Sequence, residues 1–181
     1  MTPSSPMATT AKIPQWTIQD LDALLTQQEW QAADQVTLAL LLKRANRTTE
    51  GWLDDITIAQ LPCDALHDLD QHWVRYSSGQ FGFSVQHEIY TEMAQGDAFA
   101  FSRQVGWTIS PYRCLGFYKF YDFLNFSLDA PPGHLPARWF WQIPWHQSLR
   151  MGGVGTGRGA AFGDANMLDA MMLRLERCQQ V

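Results

Sequence analysis

Apolar residues recur at helical spacing from Thr17 to Gly106, and that period stops after Trp107. Thr17-Ile18-Gln19-Asp20 has the form of a helix start in which a hydroxyl and an acid cap each other. Leu21, Leu24 and Leu25 then share a face, and Trp30 stands at the junction. In QAADQVTLALLLKR, Ala33, Val36, Leu40 and Leu41 make one stripe, and Leu38 with Leu42 a second, which predicts a helix buried on most sides. The short join predicts an antiparallel helix pair. After a polar break from Asn46 to Gly51, Trp52-Leu53 opens a turn, and Asp54-Asp55 can cap a small helix, ITIAQ. Pro62 suits the first turn of the next helix, where Leu66, Leu69, Trp73 and Tyr76 follow the 3.6-residue period until Ser77-Ser78-Gly79. Ser84 is placed to cap SVQHEIYTEM, with Val85, Ile89 and Met93 on one face. Gly96-Asp97 breaks the chain before the short helix DAFAFSRQV.

From Trp107 to Pro136 there is neither a useful amphipathic helix nor a clean strand alternation. GFYKFYDFLNFSLDAPPGHLP, residues 116 to 136, is rich in aromatics in its first half and in Pro and Gly in its second. Disordered segments are poor in aromatics, and a long ordered loop in a compact domain is usually functional. Two readings of the rings stay open. Either they build a second small core, or they face a large flat ligand in a concave, mostly apolar pocket with a few polar anchors. Removing roughly 300 Å² of ligand from water would yield about 7 kcal/mol gross, much of it offset by ordering and association. Arg103, Arg113, Lys119 and Arg138 are scattered around the loop, where Arg can hold a carboxylate bidentately. WFWQIPW follows, interrupted by Pro144, and GGVGTGRG has the composition of a flexible linker. ANMLDAMMLRLERC, with Met167, Leu168, Met171, Met172 and Leu175 on one side, predicts a last helix that docks on the domain or on a partner.

Composition narrows the chemistry. The chain has 181 residues, 46% of them hydrophobic, enough for one domain with a real core. Eight Trp give more flat apolar area than a small core needs. A net charge of -5 without a Lys/Arg cluster argues against nucleic acid. No apolar run reaches membrane-spanning length. Residues 1–16, rich in Pro, Ser and Thr, read as a disordered tail rather than a secretory signal. Cys63, Cys114 and Cys178, an odd number without CxxC, read as free thiols of a reducing, intracellular compartment. The Gly-rich stretch lacks the strand and Lys of a phosphate loop. His67 and His72 lie five apart, and His87, His134 and His146 are isolated, so structural or surface roles outweigh metal binding. Asp54/Asp55 and Asp68/Asp70 read as solvated helix charges. No nucleophile stands in a recognisable motif, so a non-catalytic protein is expected.

Two segments resemble a known family. EGWLDDITIAQLPCDALHDLDQHWVRYSSGQFGFSVQHEIY, from Glu50 to Tyr90, is similar to the core of the genomes-uncoupled-type (Gun-four) tetrapyrrole-binding proteins. RQVGW and FSLDAPPGHLP resemble that family's second signature, and EWQAADQVTLALLL its second helix. The resemblance implies an all-α domain shaped like a cupped hand, with a long aromatic loop over a ligand hollow. It implies binding of protoporphyrin IX or magnesium protoporphyrin IX, in some members a linear bilin. It also implies stimulation of magnesium chelatase through that enzyme's large porphyrin-binding subunit, in chlorophyll biosynthesis. The setting implied is the cytoplasm of a cyanobacterial-type cell or the periphery of a photosynthetic membrane, and the expected state is a monomer. On this reading residues 17–138 form the tetrapyrrole-binding domain, 139–166 an aromatic and Gly-rich linker, and 167–181 a C-terminal helix. Carried over, the loop side of the pocket comprises Trp107, Tyr112, Phe123, Phe126 and Leu135, and the opposing wall Trp52, Leu53 and Leu61. Core packing stays open for each of them. Relatives carry basic residues near the APxGHLP segment, whereas this chain has Asp129 and Pro132 there, so propionate anchoring falls to Arg113, Lys119 or Arg138. The altered loop motivates the alternative of a bilin-binding sensor or carrier independent of the chelatase. A third reading is an interaction module whose rings bury WFWQIPW and the last helix. An exposed Trp141 or Trp145 would suit a membrane interface.

Overall fold

A computed structural model describes residues 16–109, 117–148, 157–158 and 165–180. Among them the fold is helical and without strands, as the periodicity predicts; one antiparallel bridge joins Thr108 to Tyr118. Helix α1 (Ile18–Thr26) opens with the expected capping box: Asp20 N–H donates to the Thr17 hydroxyl, and Thr17 N–H to the Asp20 carboxylate. It packs on α2 (Trp30–Arg44). The two apolar stripes of α2 are buried except for Leu40, which is half-exposed. Asp54 caps α3 (Asp55–Ile58), accepting Thr57 N–H at 2.7 Å. Helix α4 (Cys63–Tyr76) buries Leu66, Leu69 and Trp73, and Ser78 and Gly79 end it in the left-handed region.

Helix α5 (Phe83–Glu88) differs from the expectation. Gly82 is its N-cap, and Ser84 caps nothing; its N–H instead donates to Asp70 Oδ1 at 2.8 Å. Asp70, read as a solvated charge, therefore supplies the cap from a different helix, which a local motif cannot show. The chain continues in a wider π turn over Ile89–Met93, and this rotates Met93 out to solvent instead of keeping it on the Val85–Ile89 face. Asp97 caps α6 (Ala98–Gln104) through the N–H groups of Phe99 and Ala100.

The core has two aromatic centres. Trp30, Trp73 and Phe81 meet with centroids 5.5–6.3 Å apart, and the Trp73 indole donates to the buried Thr37 hydroxyl at 2.9 Å. The second centre joins Phe101, Trp107 and Tyr118 to Phe140 and Trp141 of α7 (Arg138–Trp141). The segment from 139, read as linker, thus begins with buried core: Trp139, Phe140, Trp141 and Ile143 are all inside. Of the two tryptophans considered for a membrane interface, Trp141 is buried, and Trp145, which opens the short helix α8 (Trp145–Ser148), is exposed. Arg158, from the Gly-rich stretch, is buried too, its guanidinium 4.0 Å above the Phe140 ring.

Helix α9 (Asn166–Gln179) docks on the domain with the expected stripe, against α3, α4 and α5. A disulfide joins Cys63 to Cys178, 115 residues apart, which corrects the expectation of free thiols. Three cysteines without a motif gave no sign of pairing, because pairing needs the Cα atoms close in space, here 5.3 Å. Cys114 and residues 1–15 of the tail read as disordered lie outside the described residues.

Candidate functional site, a pinned aromatic loop

The second half of the loop is fixed by its backbone. Gly133 N–H donates to Gln80 O at 2.8 Å, Gly82 N–H to Leu135 O at 3.1 Å, and the Gln80 amide to Ala130 O at 2.6 Å. The buried Gln86 amide donates to both Gly133 O and Pro136 O. APPGHLP is therefore clamped to the α4–α5 junction, so the two sequence signatures meet in the fold. Gly133 has φ +71°, and a Cβ there would stand 2.9 Å from Ile89 Cδ1 and 3.2 Å from Val105 Cγ1.

His134 ties the first half to the second. Its Nδ1 bonds Val105 O, its Nε2 accepts Asn125 N–H at 3.1 Å, and its carbonyl accepts the Trp107 indole N–H at 2.9 Å. Burial pushes its pKa down, and the nearby Lys119 charge adds to this. Among the described residues no cluster of His, Cys, Asp or Glu could hold a metal ion.

Asp34 fastens the end of the loop to α2. It is buried, and its carboxylate accepts Ala137 N–H, Arg138 N–H and the Tyr121 hydroxyl at 2.9–3.0 Å. Burial raises its pKa to about 6 against the opposing pull of those donors. The same burial, with the Asp34 charge, pushes the Tyr121 hydroxyl up. Sequence reading missed this node. Its signal was an acid on the apolar face of α2, at helical spacing between Trp30 and Leu38.

The loop's rings divide. Tyr118 and Tyr121 are core, as are Trp107 and Leu135 among the residues carried over. The second-small-core reading thus describes these four. Phe123, by contrast, is 72% exposed, with Phe120 beside it at 6.2 Å. Phe126 is half-buried against Tyr121 at 5.2 Å, and the Arg138 guanidinium lies over the Tyr121 ring itself, 4.3 Å from its centroid. A groove of about 210 Å³ runs along Phe120, Tyr121, Arg138, Trp141 and Ile143. It brings Arg138 together with exposed aromatic surface. Lys119 is half-buried, and its backbone bonds Trp107 and the Trp141 indole.

On the opposing side Leu53 and Leu61 are fully in the core. Trp52 is half-buried and carries the Arg47 guanidinium at 5.9 Å, itself paired with Asp54 at 3.1 Å. Tyr112 and Arg113 lie outside the described residues.

The sequence that builds this clamped turn and helical domain matches a known family model. The GUN4-like model covers residues 13–151. The chain belongs to the GUN4-like family. Curated relatives include the ycf53 protein of Porphyra purpurea, 32% identical over 120 residues, and the Ycf53-like protein of Synechocystis, 29% identical over 119 residues. These matches take in 65% and 64% of this chain and 48% of each relative, so the chain matches about half the length of each. Among solved structures, ligand-free GUN4 of Arabidopsis thaliana aligns with a TM-score of 0.60 at 24% identity, over 86% of this chain and 94% of that one. GUN4 of Chlamydomonas reinhardtii aligns with a TM-score of 0.63 at 24% identity, over 94% and 96%. Both likenesses establish the fold. No helix among the described residues is long and apolar enough to cross a membrane.

Proposed function

We propose that this GUN4-like chain binds protoporphyrin IX and magnesium protoporphyrin IX and stimulates magnesium chelatase through that enzyme's large porphyrin-binding subunit, without being a catalyst itself. One observation carries the binding part: Phe120 and Phe123 stand in solvent on a loop whose backbone is clamped at both ends, next to Arg138. Exposed large rings on a held loop cost solvation and leave flat apolar area for a macrocycle. Arg138 offers a cation to a propionate. Loop-side contact is assigned to Phe123 and Phe126, while the buried Trp107 and Leu135 are assigned to the core that supports the loop. Trp52 is assigned the opposing edge.

The test is a titration with deuteroporphyrin or its magnesium form. The expected result is a shifted, intensified Soret band with quenched Trp emission, and a higher chelatase rate with the large subunit present. Unchanged spectra would end the proposal. Much tighter bilin binding with no gain in chelatase rate would favour the sensor or carrier reading. The closed interaction module draws on a different observation, the packing of Trp107 against Phe140 and Trp141 at 5.4 and 4.8 Å. It requires no tetrapyrrole binding at all.

A further inference from the structure

Helix α9 meets the segment that bears the candidate opposing wall. It packs on α3, which lies between Leu53 and Leu61, and Arg174 Nε donates to Leu61 O at 2.7 Å. Two residues after Leu61, Cys63 is bonded to Cys178 near the end of α9. The α3–α9 seam is only partly filled: a groove of about 390 Å³ runs along Ile56, Ala59, Leu173 and Arg174, with Ile56 68% exposed. The buried stripe of α9 includes Met167, Met171 and Met172, and such side chains repack readily. Both cysteines keep part of their surface in solvent. A covalent bond thus closes, at partly exposed cysteines, an interface whose other ties are a methionine-rich stripe and the Tyr90–Asp169 and Arg174–Leu61 hydrogen bonds.

We propose that Cys63–Cys178 is a thiol–disulfide exchange site for a dithiol reductant, and that its state sets how firmly α9 holds the Leu53–Leu61 segment. A reductant thiolate attacks the Cys178 sulfur, and the bond between the two cysteine sulfurs breaks. Cys63 leaves as a thiolate and takes up a proton. Cys63 is the better leaving group because it is the first residue of the fourteen-residue α4, where the helix N-terminus stabilises a thiolate. The reductant's second thiol then attacks its own sulfur in the mixed disulfide, and Cys178 leaves and is protonated. The reductant ends as a disulfide, and two electrons have passed to the cysteine pair.

The effect on ligand binding rests on the assignment of Trp52, the neighbour of the buried Leu53, as the opposing edge of the tetrapyrrole site. Hydrogen exchange should be followed on the full chain, oxidised and after dithiothreitol, with Cys178→Ser as a second route to the open state. Alkylation and mass spectrometry should show the 63–178 pair in the oxidised sample. Exchange should quicken at Asn166–Gln179 and Leu53–Leu61, while α1 and α2 stay unchanged. Equal acceleration along the whole chain would mean a structural staple only, and no acceleration would mean no latch; either overturns the proposal. Magnesium deuteroporphyrin affinity should fall roughly tenfold on reduction, and equal affinity overturns the coupling. Absence of binding in both states would strike the tetrapyrrole reading instead, and the exchange data alone would then decide the latch.

Discussion

The Asp34 carboxylate accepts the backbone N–H of Arg138, 104 residues further along the chain, at 2.9 and 3.0 Å. It also accepts Ala137 N–H and the Tyr121 hydroxyl. Asp34→Ala would leave these donors buried without a partner, at about 1–3 kcal/mol for each orphan. A loss of roughly 3 kcal/mol in urea unfolding is expected. Asp34→Asn keeps one carbonyl oxygen for the two N–H groups and can donate to the Tyr121 oxygen, so it should lose about 1 kcal/mol. Equal losses for the two variants would contradict the hydrogen-bond account.

The same carboxyl makes a pH prediction with an unusual sign. Burial raises its pKa from 3.8 to about 6, so the folded state binds this proton more tightly than the unfolded chain. Its contribution to stability therefore grows as pH falls through 6 and is complete below 3.8. His134 opposes it: with a lowered pKa, it loses stability as pH falls below its ordinary 6.5. Asp54, whose pKa is held down by Thr57 and Arg47 against its partial burial, loses stability at still lower pH. The clean quantity is the stability difference between wild type and Asp34→Asn. It should move in favour of wild type from pH 7 to pH 4, by at most about 3 kcal/mol. A difference that is flat across this range would show that Asp34 does not titrate there.

Loop rings should separate by variant. Phe123 is exposed, so Phe123→Ala should leave unfolding within about 0.5 kcal/mol of wild type. Porphyrin affinity should nevertheless drop about tenfold, a loss near 1.4 kcal/mol. Trp107→Ala should lose about 3–5 kcal/mol of stability, since the indole is wholly buried and bonds His134 O. If Phe123→Ala bound porphyrin as well as wild type, its ring would have no part in the site.

What the sequence made legible follows from where the information lies. The Thr17 capping box and the Leu66–Leu69–Trp73 stripe are local, and both appear in the structure as expected. The Asp70 cap on Ser84 and the Asp34 node depend on groups 14 and 104 residues apart, so no short motif could carry them. The aromatic loop was visible as an anomaly, but its division was not. Tyr121 and Phe123 are two residues apart with the same composition around them, yet only Tyr121 reaches Asp34 and becomes core. Family resemblance located the APPGHLP turn, and its physical role, a clamp on Gln80, Gly82 and Gln86, came from the backbone contacts.

Arg138 provides the sharpest test of the ligand reading, because its backbone and side chain have separate jobs. The backbone N–H holds Asp34, whatever the side chain is. The guanidinium lies over Tyr121 and borders the groove with Phe120 and Trp141. Arg138→Met keeps the N–H and much of the aliphatic contact while removing the cation, so the fold should change by about 1 kcal/mol or less. If the cation meets a propionate, the variant should bind deuteroporphyrin roughly tenfold more weakly. The dimethyl ester of the same porphyrin has no carboxylate, so wild type and Arg138→Met should bind it alike. Equal weakening towards acid and ester would assign Arg138 to packing, and no weakening towards either would remove it from the site.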